Sequence, residues 1–84
     1  MPHIIVKLWP GKTEAQKRCL SDTIVQDVKT ILSYGDDAIS VAFEDILPEA
    51  WSTDVYEPDI QAKWDSLTKT PGYGPGPYRE LKDS

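Results

Sequence analysis

Two short runs of alternating apolar residues flank one long amphipathic stripe, and that order leaves a chain of 84 residues few folds besides a parallel strand–helix–strand unit. Residues 3–9, HIIVKLW, are β-branched and aromatic and are closed by Pro10-Gly11, as a strand ended by a turn would be. Ile4, Val6 and Leu8 fall on one face, and Ile5 and Trp9 share the other with Lys7. The next stripe is Leu20, Ile24, Val28, Ile31 and Leu32, at helical spacing. Its start is marked by Thr13 with Gln16 three residues later, a capping-box pattern, and by Glu14 in the first turn. Gly35 is the expected C-terminal cap. Residues 38–46 alternate again, with Ile39, Val41 and Phe43 opposite Ser40, Ala42 and Glu44. Two parallel strands need a crossover, and the helix supplies it in the right-handed sense.

One βαβ unit covers one face of a two-stranded sheet and leaves edges and apolar surface open. Two copies side by side make a four-stranded sheet beneath two helices, so the pattern itself asks for a partner. Size argues the same way, because a chain this short buries little surface and commonly needs a disulfide, a metal or oligomerisation. Cys19 is the single cysteine and His3 the single histidine, so an internal disulfide and a zinc cluster are both excluded. Cys19, within the helical stripe, reads as a small, partly buried apolar residue.

The net charge of −5, with Lys and Arg scattered, argues against nucleic acid as a partner. No apolar run approaches membrane-spanning length, and the start lacks the pattern of a signal peptide. The expectation is a soluble, cytoplasmic protein with no cofactor and no membrane partner.

Beyond Pro48 the periodicity loosens. Residues 48–51, PEAW, read as one helical turn, and Asp54 is a candidate cap for a second helix. Pro58 suits the first turn of that helix, with Ile60, Trp64 and Leu67 on one face and an end near Lys69. The expected organisation is one α/β (α+β) domain over residues 1–70 and a Pro/Gly-rich tail over 71–84, either mobile or draped over a neighbour.

No Ser-His-Asp set, phosphate loop or dinucleotide fingerprint is present. The remaining candidate is Pro2. Removal of Met1, which a small second residue permits, converts the Pro2 nitrogen from an amide into a secondary amine. A free α-amino group titrates at about 7.7–8.0, and an apolar pocket or a nearby cation lowers that value. The result is a general base poised near working pH.

The opening MPHIIVKLWPGKTEAQK resembles that of the 4-oxalocrotonate tautomerase family: Met-Pro, a hydrophobic strand, a polar turn and a helix carrying EAQK. The likeness continues through ISVAF, ILPEAW and KTPGY, which are similar to a PptA-like subgroup of dimeric members, and it runs from Pro2 to about Tyr73. It implies a βαβ tautomerase fold with a second C-terminal helix, two protomers sharing a four-stranded sheet, and cofactor-independent keto–enol tautomerisation. Carried over residue by residue, Pro2 matches the catalytic proline. Lys12 falls where the family has an arginine that binds the substrate carboxylate, and it replaces a bidentate fork with a point charge. Trp51 matches an aromatic residue that closes the pocket, and Tyr56 lies near another aromatic position. One departure matters: Ala42 stands where hexameric members carry a second arginine. The missing charge favours a phenylpyruvate-like 2-oxo acid or its enol over a dicarboxylate, and the second helix and long tail, which would crowd one sheet face, favour a homodimer over a hexamer.

Plainer readings stand beside these. Lys12 after a Pro-Gly turn reads equally as a solvated charge, Trp51 as a core residue and His3 as a strand residue at a surface or interface. Arg18 and Arg79 match no family ligand. Two rival functions remain open: hydration or dehalogenation of an unsaturated acid by the same proline, and a non-catalytic dimeric binding module.

Overall fold

The structure, a computed structural model, describes residues 1–78. It consists of two compact units, Met1–Ile46 and the chain from Leu47 on.

The first unit is the βαβ element. Strand β1 (His3–Leu8) pairs in parallel with β2 (Ser40–Asp45), and helix α1 (Glu14–Leu32) connects them. The register sets Ile4 beside Val41, Val6 beside Phe43 and Leu8 beside Asp45 on one face. His3 beside Ser40, Ile5 beside Ala42 and Lys7 beside Glu44 make the other. The ladder runs one step past each strand: Ser40 N–H donates to the Pro2 carbonyl at 3.2 Å, and Ile46 N–H to that of Leu8 at 2.8 Å. Gly11, at φ 121°, takes the chain from β1 toward α1 through a conformation that a side chain disfavours.

The start of α1 agrees with its sequence signature. Thr13 Oγ1 accepts from Gln16 N–H at 3.1 Å, and Gln16 Oε1 accepts from Thr13 N–H at 2.9 Å, so each residue satisfies a donor that the helix leaves free. The end does not. Helix α1 stops at Leu32, with Ser33 as its cap in the left-handed region at φ 62°, while Gly35 is extended. The reversal comes two residues before the glycine expected to make it, on a residue for which that conformation is costly.

No residue of this unit is fully buried. Ile5 is 46 % exposed, Trp9 56 % and Ile31 73 %, so β1 has one face half-covered and the other open.

In the second unit, a 3-10 turn at Pro48–Ala50 bears out the single turn expected at PEAW. The second helix differs from expectation. Instead of an α-helix capped by Asp54 and begun by Pro58, the chain forms a wide π-helix, Ser52–Gln61, with both residues inside it. Its end is marked by the Ala62 N–H donating to the Glu57 carbonyl five residues back, at 3.0 Å. A proline ring within an α-helix presses on the carbonyl four residues earlier, and the wider winding relieves that pressure. Trp64 and Leu67 thus leave the expected face: Trp64 begins a 3-10 turn, Trp64–Ser66, and Leu67 is extended. Val55 and Tyr56, both 4 % exposed, are the only residues buried outright among those described, and both lie in the π-helix.

Residues 71–78 hold no regular structure, as their prolines and glycines require, yet they are tied down. Tyr56 Oη accepts from Gly76 N–H at 2.8 Å, and Gln61 Nε2 donates to the Gly76 carbonyl at 2.8 Å. This part of the tail thus folds back on its own unit.

Candidate active site

Pro2 stands at the head of β1, half-buried, with its carbonyl in the ladder. A proline suits this position because it has no N–H to give a sheet. Its ring nitrogen lies outside the ladder, joined to Met1, which is 92 % exposed. Ser40 grips this end of the strand twice: its N–H meets the Pro2 carbonyl, and its Oγ lies 2.6 Å from His3 Nδ1.

Lys12 sits between Gly11 and the Thr13 cap, exposed, without a hydrogen bond or ion pair among the described residues. An ammonium at that point is free to take a carboxylate. Ala42 lies on the open sheet face next to Ile5. Arg18 does not stand in for the absent guanidinium. It lines an open groove of about 430 Å³ with Val41 and Phe43, which alternate with Ala42 and so belong to the opposite face. Arg79 lies outside the described residues.

In the second unit, Trp51 is half-buried and its indole Nε1–H donates to Tyr73 Oη at 3.0 Å. The Tyr56 and Tyr73 rings meet at a centroid distance of 5.6 Å and an angle of 53°. Tyr56 Oη, besides accepting from Gly76, donates to the Tyr73 carbonyl at 3.4 Å. Its hydroxyl is thus occupied by main-chain groups. Gly74, at φ 84°, passes so near that ring that a Cβ there would overlap it. Sequence reasoning passed over Tyr73; the one signal for it was an aromatic residue set among the glycines of KTPGYG.

A family model described as a tautomerase enzyme matches residues 2–55, beginning at the proline. The chain belongs to the tautomerase family. It is 40 % identical over 74 residues to a probable tautomerase of Xylella fastidiosa, an alignment covering 88 % of this chain and 90 % of that one. It is 39 % identical over 74 residues to the tautomerase PptA of Pectobacterium carotovorum, covering 87 % and 97 % respectively. Among solved structures, YwhB, a homologue of 4-oxalocrotonate tautomerase, is similar with a TM-score of 0.53 and 30 % identity, over 55 % of this chain and 75 % of that one. TomN, a 4-oxalocrotonate tautomerase homologue of the tomaymycin biosynthetic pathway, gives 0.57 and 26 %, over 60 % and 77 %. This tautomerase therefore has the strand–helix–strand fold of its relatives, and its enzyme class is that of a tautomerase. Among the described residues, no helix is long and apolar enough to cross a membrane.

Proposed function

We propose that this tautomerase interconverts the enol and keto forms of a phenylpyruvate-like 2-oxo acid, without a cofactor, using the Pro2 amine as the base after Met1 is removed. Pro2 takes the enol hydroxyl proton, the electron pair of that O–H bond becomes the second bond of the C2 carbonyl, and the pair of the C2=C3 double bond takes the proton back from Pro2 at C3. Lys12 anchors the carboxylate. Trp51 contacts the substrate and excludes water, which keeps the amine unprotonated. Tyr56 contributes its ring to the aromatic surroundings, since its hydroxyl already serves the chain from Tyr73 to Gly76.

The observation that carries this reading is the position of Pro2, whose carbonyl is locked into the ladder while its nitrogen stays outside it. Family membership supports the reaction type. The apolar Ile5–Ala42 pair on the open face supports a substrate with one carboxylate, because that face offers no second guanidinium. The same open face, with no residue of Met1–Ile46 fully buried, supports a homodimer as the working form.

The test combines intact mass with ketonisation of phenylenolpyruvate by the parent and by Pro2→Ala. Loss of a positioned general base removes about 10²–10⁴-fold in rate. The proposal expects a fall in that range from a parent lacking Met1. A parent that lacks Met1 and is inert on several enol acids would overturn it.

A further inference from the structure

We infer that Ser40 is a positioning residue for Pro2: its hydroxyl, bonded to the His3 ring, holds the first peptide of β1 so that the Pro2 amine keeps one direction. This rests on the reading of Pro2 as the base.

The Pro2 nitrogen has few tethers of its own. It gives nothing to the sheet, and once Met1 is gone it lies at the very end of the chain, where order is weakest. The proline ring fixes the nitrogen relative to its own Cα, and the peptide joining Pro2 to His3 is planar. One torsion, ψ of Pro2, then separates the amine from that peptide. The amine is aimed only as well as the peptide is held.

Ser40 holds that peptide on both sides. Its N–H donates to the Pro2 carbonyl, the peptide's own oxygen, at 3.2 Å. Its Oγ lies 2.6 Å from Nδ1 of His3, the residue on the peptide's other side. One residue makes both contacts because the parallel register sets His3 beside Ser40. The main-chain bond is the longer of the two and is the terminal rung of the ladder, the place where a strand opens first. Serine suits the task, since a hydroxyl both donates and accepts and so bonds the ring in either tautomer.

Loss of this bond falls on catalysis more than on the fold. His3 and Ser40 are both exposed, and they lie on the face opposite Ile4, Val6, Val41 and Phe43, so breaking their contact uncovers no packed surface. The other end of the ladder is closed separately, by Lys17 and Asp45 at 3.0 Å. What is released is the head of β1 alone. A base must lie within hydrogen-bond reach of the proton it takes, and a small misplacement costs rate steeply.

The test is steady-state ketonisation of phenylenolpyruvate by protein lacking Met1, together with hydrogen exchange at the Ser40 amide. Ser40→Ala and His3→Phe should each lower kcat about two- to tenfold with KM nearly unchanged, and the double variant should fall no further, because both changes remove one bond. Ser40→Thr, which keeps the hydroxyl, should restore kcat. His3→Phe should speed exchange of the Ser40 amide, which is bonded to the Pro2 carbonyl. Lys17→Met, which opens the far end of the ladder, should leave kcat as it is. An active parent whose kcat survives Ser40→Ala and His3→Phe overturns the inference and leaves the proline base standing. Additive losses, a Ser40→Thr no better than Ser40→Ala, or unchanged exchange in His3→Phe overturn it too. An equal loss of kcat in Lys17→Met would make the contact merely structural. An inert parent sinks the proline base and this role with it.

Discussion

The ammonium of Lys17, on the first turns of α1, sits 3.0 Å from Asp45 Oδ1 and 3.2 Å from Oδ2, joining the helix to the last residue of β2. Glu14 adds a longer contact at 3.6 Å. Lys17 is the helical cation whose side chain is drawn in, 15 % exposed, and Asp45 shares the sheet face of Leu8 at the far end of the ladder. The pair therefore closes the βαβ unit at the end opposite Pro2.

Lys17 consequently holds its proton more tightly folded than unfolded: the hydrogen bond to Asp45 raises its pKa above the ordinary 10.5, against an opposing effect of burial. A raised pKa means that the folded state binds more protons as the group titrates, so stability falls as pH rises from 10.5 through the folded value. Lys17→Met should lower the melting temperature at neutral pH, and parent and variant should converge in alkali. Melting curves followed by circular dichroism from pH 7 to strongly alkaline conditions check this; a difference constant across that range would refute the linkage.

Ser33 ends α1 at φ 62° and ψ 38°, where a side chain crowds its own carbonyl. Glycine relieves that crowding but has more freedom to lose from the unfolded chain, so the net gain is modest. Ser33→Gly should stabilise the protein by about 0.5 kcal/mol, equivalent to about 2–4 °C in melting temperature. Gly35→Ala, at an extended position with open space around it, should have no comparable effect.

Gly74 is different in kind. A methyl group there meets the Tyr56 ring and also a φ of 84°, and neither neighbour has an easy escape. Gly74→Ala should cost about 1–3 kcal/mol and free the segment that carries Tyr73. Gly72→Ala, with nothing within 4 Å, is the control expected to be silent. Urea unfolding gives the first quantity; hydrogen exchange at the Gly76 amide, bonded to Tyr56, reports the second.

The sequence made legible the features that local patterns encode. The Thr13–Gln16 box spans three residues and reads directly, as do the two alternating strands around it. The helix end was hidden because Ser33 adopts a conformation that sequence reasoning assigns to glycine. Pro58 misled for a related reason: proline usually opens a helix, and here a wider helix accommodates it inside. Pro2, Lys12, Trp51 and Tyr56 stand as candidates through the family resemblance of the segments that hold them. The tie of Tyr73 to Trp51 is not legible, since it spans 22 residues and depends on how the tail folds back. A pairing at that distance has no periodic trace.

Lys12 offers a direct separation of binding from chemistry. If its free ammonium holds the substrate carboxylate equally in ground and transition states, Lys12→Met should raise KM about tenfold or more with kcat nearly unchanged. Lys12→Arg should retain binding and restore a forked donor. Steady-state ketonisation kinetics decide it: an unchanged KM in Lys12→Met would return Lys12 to the solvent.

The proposed dimer makes a thermodynamic prediction of its own. The Met1–Ile46 unit contains no fully buried residue, and its sheet face at Ile5 and its helix end at Ile31 and Leu32 remain exposed in the protomer. An isolated chain so arranged keeps much of its apolar surface in water and is held by little else. Association that covers this surface stabilises the folded form by mass action, so stability must grow with the logarithm of protein concentration. For a two-chain unit, each tenfold increase should raise the melting temperature by about 3–5 °C. Calorimetric scans over two orders of magnitude in concentration, paired with sedimentation equilibrium, measure this. A midpoint independent of concentration at a single-chain mass would mean that the protomer stands alone and that the open sheet face needs another explanation.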